Sequence, residues 1–131
     1  MKIEVSTGEI LDKLSILEIK LDHITDPSKR NNLLQEYVIL AAAAEEIYDA
    51  NPDREDIKIL YTDLLNINKT LWNIEDQIRE CERDERFGSD FIELARSVYY
   101  TNDDRADVKK QINTLTGSKL VEEKSYQDYK N

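Results

Sequence analysis

Cysteine and histidine are almost absent from this chain of 131 residues, which has one of each, Cys81 and His23. One cysteine cannot form an internal disulfide, which agrees with a reducing compartment and leads us to expect a cytoplasmic protein. Zinc sites and carboxylate-bridged di-iron bundles need several histidines or cysteines, so we expect neither. We interpret Cys81 as a small buried hydrophobe and His23 as a surface or capping residue near a helix end.

Glycine and proline are also scarce, with three and two residues respectively. So few turn formers argue against an all-β domain, and isolated glycines cannot build a phosphate-binding loop. The sequence has no apolar run long enough to cross a membrane, and its first residues lack the pattern of a signal peptide. Because the standard catalytic signatures are missing as well, we favour a protein that is not an enzyme and has no cofactor.

Basic residues are outnumbered, since 18 Lys and Arg stand against 28 Asp and Glu and the net charge is −10. This balance disfavours binding to a nucleic-acid backbone. Residues 94–131, with 7 basic and 6 acidic residues, are the least acidic part of the chain. Arg105, Lys109 and Lys110 lie there within about one and a half helical turns. We expect any anionic ligand to bind at this segment.

Acidic residues three apart, the spacing with which helical pyrophosphatases hold magnesium, occur six times, and one of these pairs is Glu9/Asp12. Chance alone produces about six such pairs in a chain this acidic. Glu82/Glu85 followed by Asp104/Asp107 comes nearest to the enzyme pattern but departs from its residue types. We therefore expect no bound metal ion.

What the sequence has in abundance is apolar residues spaced three and four apart, which is typical of amphipathic helices that pack together. Four such rows run from Ile10 to Ile24, Leu33 to Ile47, Ile57 to Cys81 and Leu94 to Leu115. Proline or glycine lies between successive rows. The pattern predicts an all-α antiparallel bundle of about four helices, two of them long, in one domain over residues 1–131. The tail from Ser118 to Asn131 is predicted to be non-helical, with Tyr126 and Tyr129 packing it onto the bundle.

Several predicted helix ends carry local signals. Ser6 and Glu9 form a capping box before the first helix, and Asp26-Pro27 suits the start of the second. Gly88 is predicted to be left-handed after the third helix. Residues 2–5 alternate and are either a short strand or an extended arm. In the fourth row, a break at Thr101 is the alternative to one continuous helix.

The third row is the longest, with eight positions in a coiled-coil register. A monomer of this size does not comfortably cover that much apolar surface, which predicts a homodimer held by the third and second helices. Our first hypothesis on function is therefore a non-enzymatic interaction module that self-associates or binds a partner protein.

Arg105 interrupts the apolar row of the fourth helix, where an unpaired guanidinium is costly to desolvate. Either a helix break frees it to solvent, or a carboxylate of a facing helix pairs with it, with Glu75 and Glu18 as candidates. The structural explanation for Arg105 and the polar residues around it is a polar layer that fixes the register of the helices. The alternative function is the binding or processing of a small anionic ligand, a sugar or a nucleotide. Its predicted pocket is lined by Trp72, Glu75, Asn102 and Arg105.

Two stretches of the chain resemble a known family. The matching phrases are VSTGEILDKLSILEIKL from Val5 to Leu21, then LWNIED, FIELARSVYYTNDDRA and LVEEKSY between Leu71 and Tyr126. They are similar to small helical proteins of bacteria and phages that are catalogued as a domain of unknown function. The resemblance covers more than half of the chain, but it implies no activity, cofactor or catalytic residue.

Overall fold

The computed structural model describes residues 1–130, and over these residues the chain forms four α-helices without a strand. They are α1 (Thr7–His23), α2 (Pro27–Asp49), α3 (Arg54–Arg83) and α4 (Ser89–Thr116). The predicted bundle with two long helices is confirmed, and α4 continues through Thr101 without a break. Residues 2–5 form no strand and are exposed. In the described part of the chain, no helix combines the length and the apolar character that crossing a bilayer requires.

Side chains at the helix starts act largely as the sequence predicts. The Ser6 hydroxyl caps α1 by accepting from the Glu9 amide at 3.1 Å. Asp26 caps α2 by accepting from the amide three residues on at 3.0 Å, and Pro27 fills the first turn. The Glu9 half of the predicted capping box is wrong, because its carboxylate accepts a hydrogen bond from Lys109 of α4 at 2.7 Å.

The turn between α3 and α4 differs from the prediction. Gly88 has a φ of −83°, and the left-handed residue is Glu85 with a φ of +55°. The amide of Arg86 donates to the Cys81 carbonyl at 2.8 Å, and that of Glu85 donates to the Glu82 carbonyl at 3.2 Å. This is the Schellman arrangement, which most often has glycine at the position that Glu85 occupies. The hydrogen bonds therefore hold a residue with a Cβ in a conformation that glycine adopts at lower cost.

The helices alternate in direction, and α1 contacts the other three. Gly8 of α1 lies against Lys109 near the end of α4, so these two helices are antiparallel. His23 at the end of α1 lies against Trp72 of α3, with ring centroids 4.8 Å apart. About 16 Å of α3 therefore continues beyond the end of α1 and pairs with the first part of α4.

The apolar core lies at the end of the bundle opposite the α3–α4 turn, where all four helices meet. Its buried members are Leu11, Leu14, Ala44, Ile47, Tyr48, Ile57, Leu64, Val108 and Ile112. The row on α3 is also buried at Ile74 and Cys81, which are 6% and 2% exposed. Four of the eight row positions on α3 are thus buried within the chain and the other four are partly buried, and the homodimer stays a prediction.

Two helices, α1 and α4, approach each other closely at Gly8. A Cβ there would lie 2.6 Å from the Lys109 carbonyl oxygen and 2.9 Å from Oδ1 of Asn113. The same Oδ1 accepts a hydrogen bond from the Gly8 amide at 2.7 Å. Since no larger residue fits, Gly8 fixes how far along α4 the first turn of α1 lies.

The segment from Ser118 to Lys130, which we call the strap, returns along α4 without regular secondary structure. Tyr129 packs against Tyr99 and Tyr100 with centroid distances of 5.0 Å, and its hydroxyl donates to Asp103 at 2.5 Å. Tyr126 is 86% exposed, so the predicted packing holds for Tyr129 and is wrong for Tyr126. This hydrogen bond lowers the pKa of Asp103 and raises that of Tyr129.

We expect Glu85→Gly to raise the free energy of unfolding by about 0.5–1 kcal/mol, because glycine adopts a positive φ without the Cβ penalty. Urea denaturation followed by circular dichroism measures the change. The matched control is Glu80→Gly inside α3, which should lower stability by about 1 kcal/mol. A loss for Glu85→Gly as large as that of the control would contradict the left-handed turn.

Candidate functional site

The most polar part of the helix interface surrounds Asp12 of α1, whose side chain is 1% exposed. Its Oδ1 accepts from Nε of Arg105 at 3.0 Å, and its Oδ2 accepts from Nη2 of Arg105 at 2.5 Å. A bidentate pair of this kind is the strongest contact that a guanidinium makes with a carboxylate. Of the two alternatives for Arg105, pairing with a carboxylate inside the bundle is the one observed, and the Asp12 carboxylate raises the pKa of Arg105.

Two further buried side chains, of which one donates to this carboxylate, extend the network of hydrogen bonds. Nδ2 of Asn68 on α3 donates to Oδ1 of Asp12 at 2.9 Å and to the Ser15 hydroxyl at 2.7 Å. The same hydroxyl donates to the backbone carbonyl of Asp12 at 2.7 Å. Asp12, Ser15 and Asn68 thus form a satisfied polar network within an otherwise apolar interface. The network joins α1, α3 and α4.

The prediction that Glu18 or Glu75 pairs with Arg105 is wrong. Asp12 lies against Arg105, and α1 and α4 are antiparallel, so Glu18 lies about 9 Å further along the bundle. Glu75 lies 3.6 Å from Arg79 of its own helix, where both side chains are more than half exposed. Counting depth along apolar rows overlooked the register that Gly8 fixes.

A groove of about 450 Å³ opens beside the network, between α1, α3 and α4. The four residues predicted to bind a ligand, Trp72, Glu75, Asn102 and Arg105, all line it. Ile16, Ile19 and Leu71 supply apolar surface, and Asp76 adds a second carboxylate. The structure therefore brings the predicted site residues together, and ligand binding by them stays a prediction.

Neighbouring residues position the side chains of Trp72 and Asn102 in the groove. The indole is half-buried and tilted by 39° against the His23 ring, whose Nδ1 lies 2.9 Å from the Ile19 carbonyl oxygen. Asn102 donates from Nδ2 to the Val98 carbonyl at 3.0 Å, and its Oδ1 accepts from Nη1 of Arg105 at 3.5 Å. Nη1 of Arg105, which makes no hydrogen bond to Asp12, thus contacts Asn102 in the lining of the groove.

Comparison with known proteins gives a family match over almost the whole chain. The sequence matches the family of unknown function DUF6165 over residues 1–130. The chain belongs to the DUF6165 family. The predicted resemblance to a family of unknown function is thereby confirmed. The chain matches no curated protein and no solved structure. Membership in DUF6165 assigns no activity, so the site has to be judged by its own geometry.

The residues of this DUF6165 protein that the sequence analysis missed are the buried polar ones, Asp12, Ser15 and Asn68. Apolar periodicity selects rows of hydrophobic residues and treats polar neighbours as solvent-facing. In the sequence, Asp12 was noted only as a member of the pair Glu9/Asp12, and such acidic pairs occur here at chance frequency. A usable signal was Arg105 itself, because a cation on an apolar row requires a buried anion on a facing helix.

A second ion pair lies one turn from the first, at Lys109. Its Nζ is 2.7 Å from Glu9, 3.7 Å from Asp12 and 3.5 Å from Glu122 of the strap. Burial opposes the charged form of Glu9, but the hydrogen bond from Lys109 and the further hydrogen bonds and charges around it together outweigh burial and lower the pKa of that carboxyl. Burial likewise opposes the charge on Lys109, and the surrounding carboxylates outweigh it and raise its pKa.

The strap encloses a smaller cavity of about 230 Å³ against α4, which shares Asn102 and Arg105 with the groove. Lys109, Lys110 and Lys124 line it together with Glu122 and Glu123. Over residues 1–130, histidine, cysteine and acidic side chains form no group of three or more that could hold a metal ion.

We expect Arg105→Ala to lower the free energy of unfolding by more than about 2 kcal/mol, because it leaves the Asp12 carboxylate buried without its cation. Chemical denaturation gives the value. Arg79→Ala is the matched control and should cost less than about 1 kcal/mol, since the guanidinium of Arg79 is exposed.

The double variant Asp12→Ala/Arg105→Ala should lose less than the sum of the two single losses, because it removes both charges together. A denaturation midpoint that Arg105→Ala leaves unchanged would contradict the buried pair.

Proposed function

We propose that this protein binds a small, neutral, hydroxyl-rich ligand, a sugar, in the groove between α1, α3 and α4. The observation that carries the proposal is the position of Trp72, Glu75, Asn102 and Arg105 around one groove. Its volume of about 450 Å³ falls within the range of small-molecule sites, roughly 300–1,000 Å³. The sequence suggested an anionic ligand, a sugar or a nucleotide; this proposal keeps the sugar and replaces the anionic ligand by a neutral one.

The chemistry of the lining suits a sugar ring. The indole of Trp72 and the side chains of Ile16 and Leu71 offer apolar surface to the C–H face of a ring. Asn102 and Arg105 carry N–H donors, while the carboxylates opposite them are acceptors. Hydroxyl groups both donate and accept, so a sugar can use both sides of the groove.

The charges in the groove favour a neutral ligand over a nucleotide. The carboxylate of Asp12 neutralises the charge of Arg105, and the carboxylate of Glu75 lies 3.6 Å from the guanidinium of Arg79. A phosphate placed here would have to compete with carboxylates that are already paired. The groove also favours binding over hydrolysis, because Glu75 and Asp76 are neighbours on one helix, whereas glycosidases place two carboxylates on opposite sides of the bond.

Trp72 is the one tryptophan of the chain and lines the groove, so its fluorescence responds to binding there. We expect a saturable change of its emission with at least one of glucose, N-acetylglucosamine and maltose, and a weaker response to glucuronate and uridine monophosphate. Glu75→Gln should weaken sugar binding about tenfold, since it removes a charged hydrogen-bond acceptor.

The matched control is Glu80→Gln, an exposed position of α3 that does not line the groove. It should leave the affinity unchanged. The proposal is wrong if these neutral sugars leave the emission unaltered at millimolar concentrations, or if both variants weaken binding equally.

The outer face of α2 favours a second candidate function, self-association. Leu34, Val38 and Ile39 are 44%, 66% and 70% exposed, and Leu34, Val38 and Ala42 follow one another at helical spacing. A two-fold axis at Val38 would pair two α2 helices antiparallel. Leu34 would then contact Ala42 of the second copy, which places a large side chain against a small one. Asn31 would contact Glu45, so that this pair brings no two like charges together.

A single helix pair buries little area, so this dimer should be weak and should form at high protein concentration. Light scattering over a concentration series measures it. Val38→Glu should abolish the dimer, because it places two carboxylates at the axis. Ile59→Glu is the matched control on α3, where the isoleucine is 61% exposed, and should leave the dimer intact. A monomer at every concentration, or equal loss in both variants, would contradict this function.

A further inference from the structure

One cavity of this acidic protein has more cations than carboxylates in its lining. The cavity between α4 and the strap is lined by four cations, Arg105, Lys109, Lys110 and Lys124. Its two anionic lining residues both belong to the strap. Carboxylates outside the lining also pair with two of these cations, Asp12 with Arg105 and Glu9 with Lys109, whereas the pair that Lys110 makes is with the strap.

The strap places its two carboxylates on the lysines of α4. Glu122 lies 3.5 Å from Lys109, and Glu123 lies 3.5 Å from Lys110. Both glutamate side chains are more than 60% exposed, and the strap is exposed throughout residues 119–130. Ion pairs so open to water contribute little stability. The contacts that hold the strap over the cavity can therefore open without unfolding the bundle.

The base of the strap is fixed. Gly117 ends α4 with a φ of +63°, and the Ser118 hydroxyl accepts from the Thr7 amide at 3.3 Å. Beyond Ser118 the strap is held by side chains, including Lys124 at 3.3 Å from Asp103. Opening thus requires loss of surface contacts beyond a fixed point.

We propose that this cavity is an oxyanion site for a phosphate group, and that Glu122 and Glu123 occupy it as an intramolecular competitor. Carboxylate and phosphate are recognised by the same lysine and arginine donors, so the acidic strap indicates the chemistry of the ligand it resembles. Lys109 and Lys110 would hold the phosphate after the two glutamates leave. This inference stands on the strap contacts and does not depend on sugar binding in the groove.

A competitor that belongs to the chain lowers the apparent affinity for phosphate by the fraction of molecules in which the strap is open. If the strap is closed about nine-tenths of the time, removing its charges tightens phosphate binding about tenfold. A purely structural ion pair would give no such gain.

The experiment is a titration of the full-length protein with inorganic phosphate at constant ionic strength, followed by calorimetry. We expect Glu122→Gln/Glu123→Gln to bind phosphate about tenfold more tightly than the unchanged protein. The matched control Glu45→Gln/Glu46→Gln removes the same charge from two adjacent glutamates on α2 and should leave the affinity close to that of the unchanged protein.

Lys110→Gln should weaken phosphate binding about tenfold in the background of the strap variant, because it removes a charge-assisted contact. Lys58→Gln, an exposed lysine of α3, is its control and should have no effect. Lys110 is 57% exposed, so its loss should not unfold the protein.

Glucose 6-phosphate, titrated in parallel, distinguishes the two sources of the phosphate group. Equal affinities assign a free oxyanion, and tighter binding of the sugar phosphate assigns a group carried by a larger ligand; either result supports the site. The proposal is overturned if the strap variant does not bind phosphate, if it binds no more tightly than the unchanged protein, or if the α2 control tightens binding as much.

Discussion

The arrangement of the bundle depends on one buried carboxylate, that of Asp12. A charge that is removed from water is stable only where donors surround it, and here the donors come from Arg105 of α4 and Asn68 of α3. Amphipathic rows alone tolerate a slip of one helical turn, because apolar side chains repeat along the row. The Asp12 contacts do not tolerate it, since a slip would leave a buried charge without its partner. We therefore regard the pair, together with the close contact at Gly8, as the device that selects the register of α1.

The register in turn creates the groove. With Asp12 drawn against Arg105, α1 ends beside Trp72, and α3 and α4 continue past it as a pair. The groove lies along this step, where Ile16 and Ile19 of α1 meet the exposed continuation of α3. A shift of α1 by one turn would cover or widen the same space. The groove is thus a consequence of the polar network rather than an independent feature.

The apolar spacing predicted the four helices, because each has at least one face that packs against a neighbour. It failed on the buried surface of α1. A row at Ile10, Leu14, Leu17 and Leu21 describes a helix with one neighbour, but α1 contacts three helices, so Leu11, Asp12 and Ser15 are buried as well. The same limit explains why Glu85 escaped notice, since hydrogen bonds to α3 rather than residue type decide its left-handed conformation. The site residues Trp72, Glu75, Asn102 and Arg105 were found because they lie at corresponding depths on two adjacent helices.

The charges around Arg105 and Lys109 divide into two kinds according to their burial. Asp12 is enclosed between helices, and replacing it by another anion would require the bundle to open. Glu122 and Glu123 are exposed on a segment without secondary structure, and water or another anion can replace them at little cost. One row of cations on α4 thus serves two purposes: the buried carboxylate fixes the helices, while the exposed ones can be exchanged. An acidic protein can in this way retain a basic surface, because its own carboxylates neutralise that surface until a stronger anion is present.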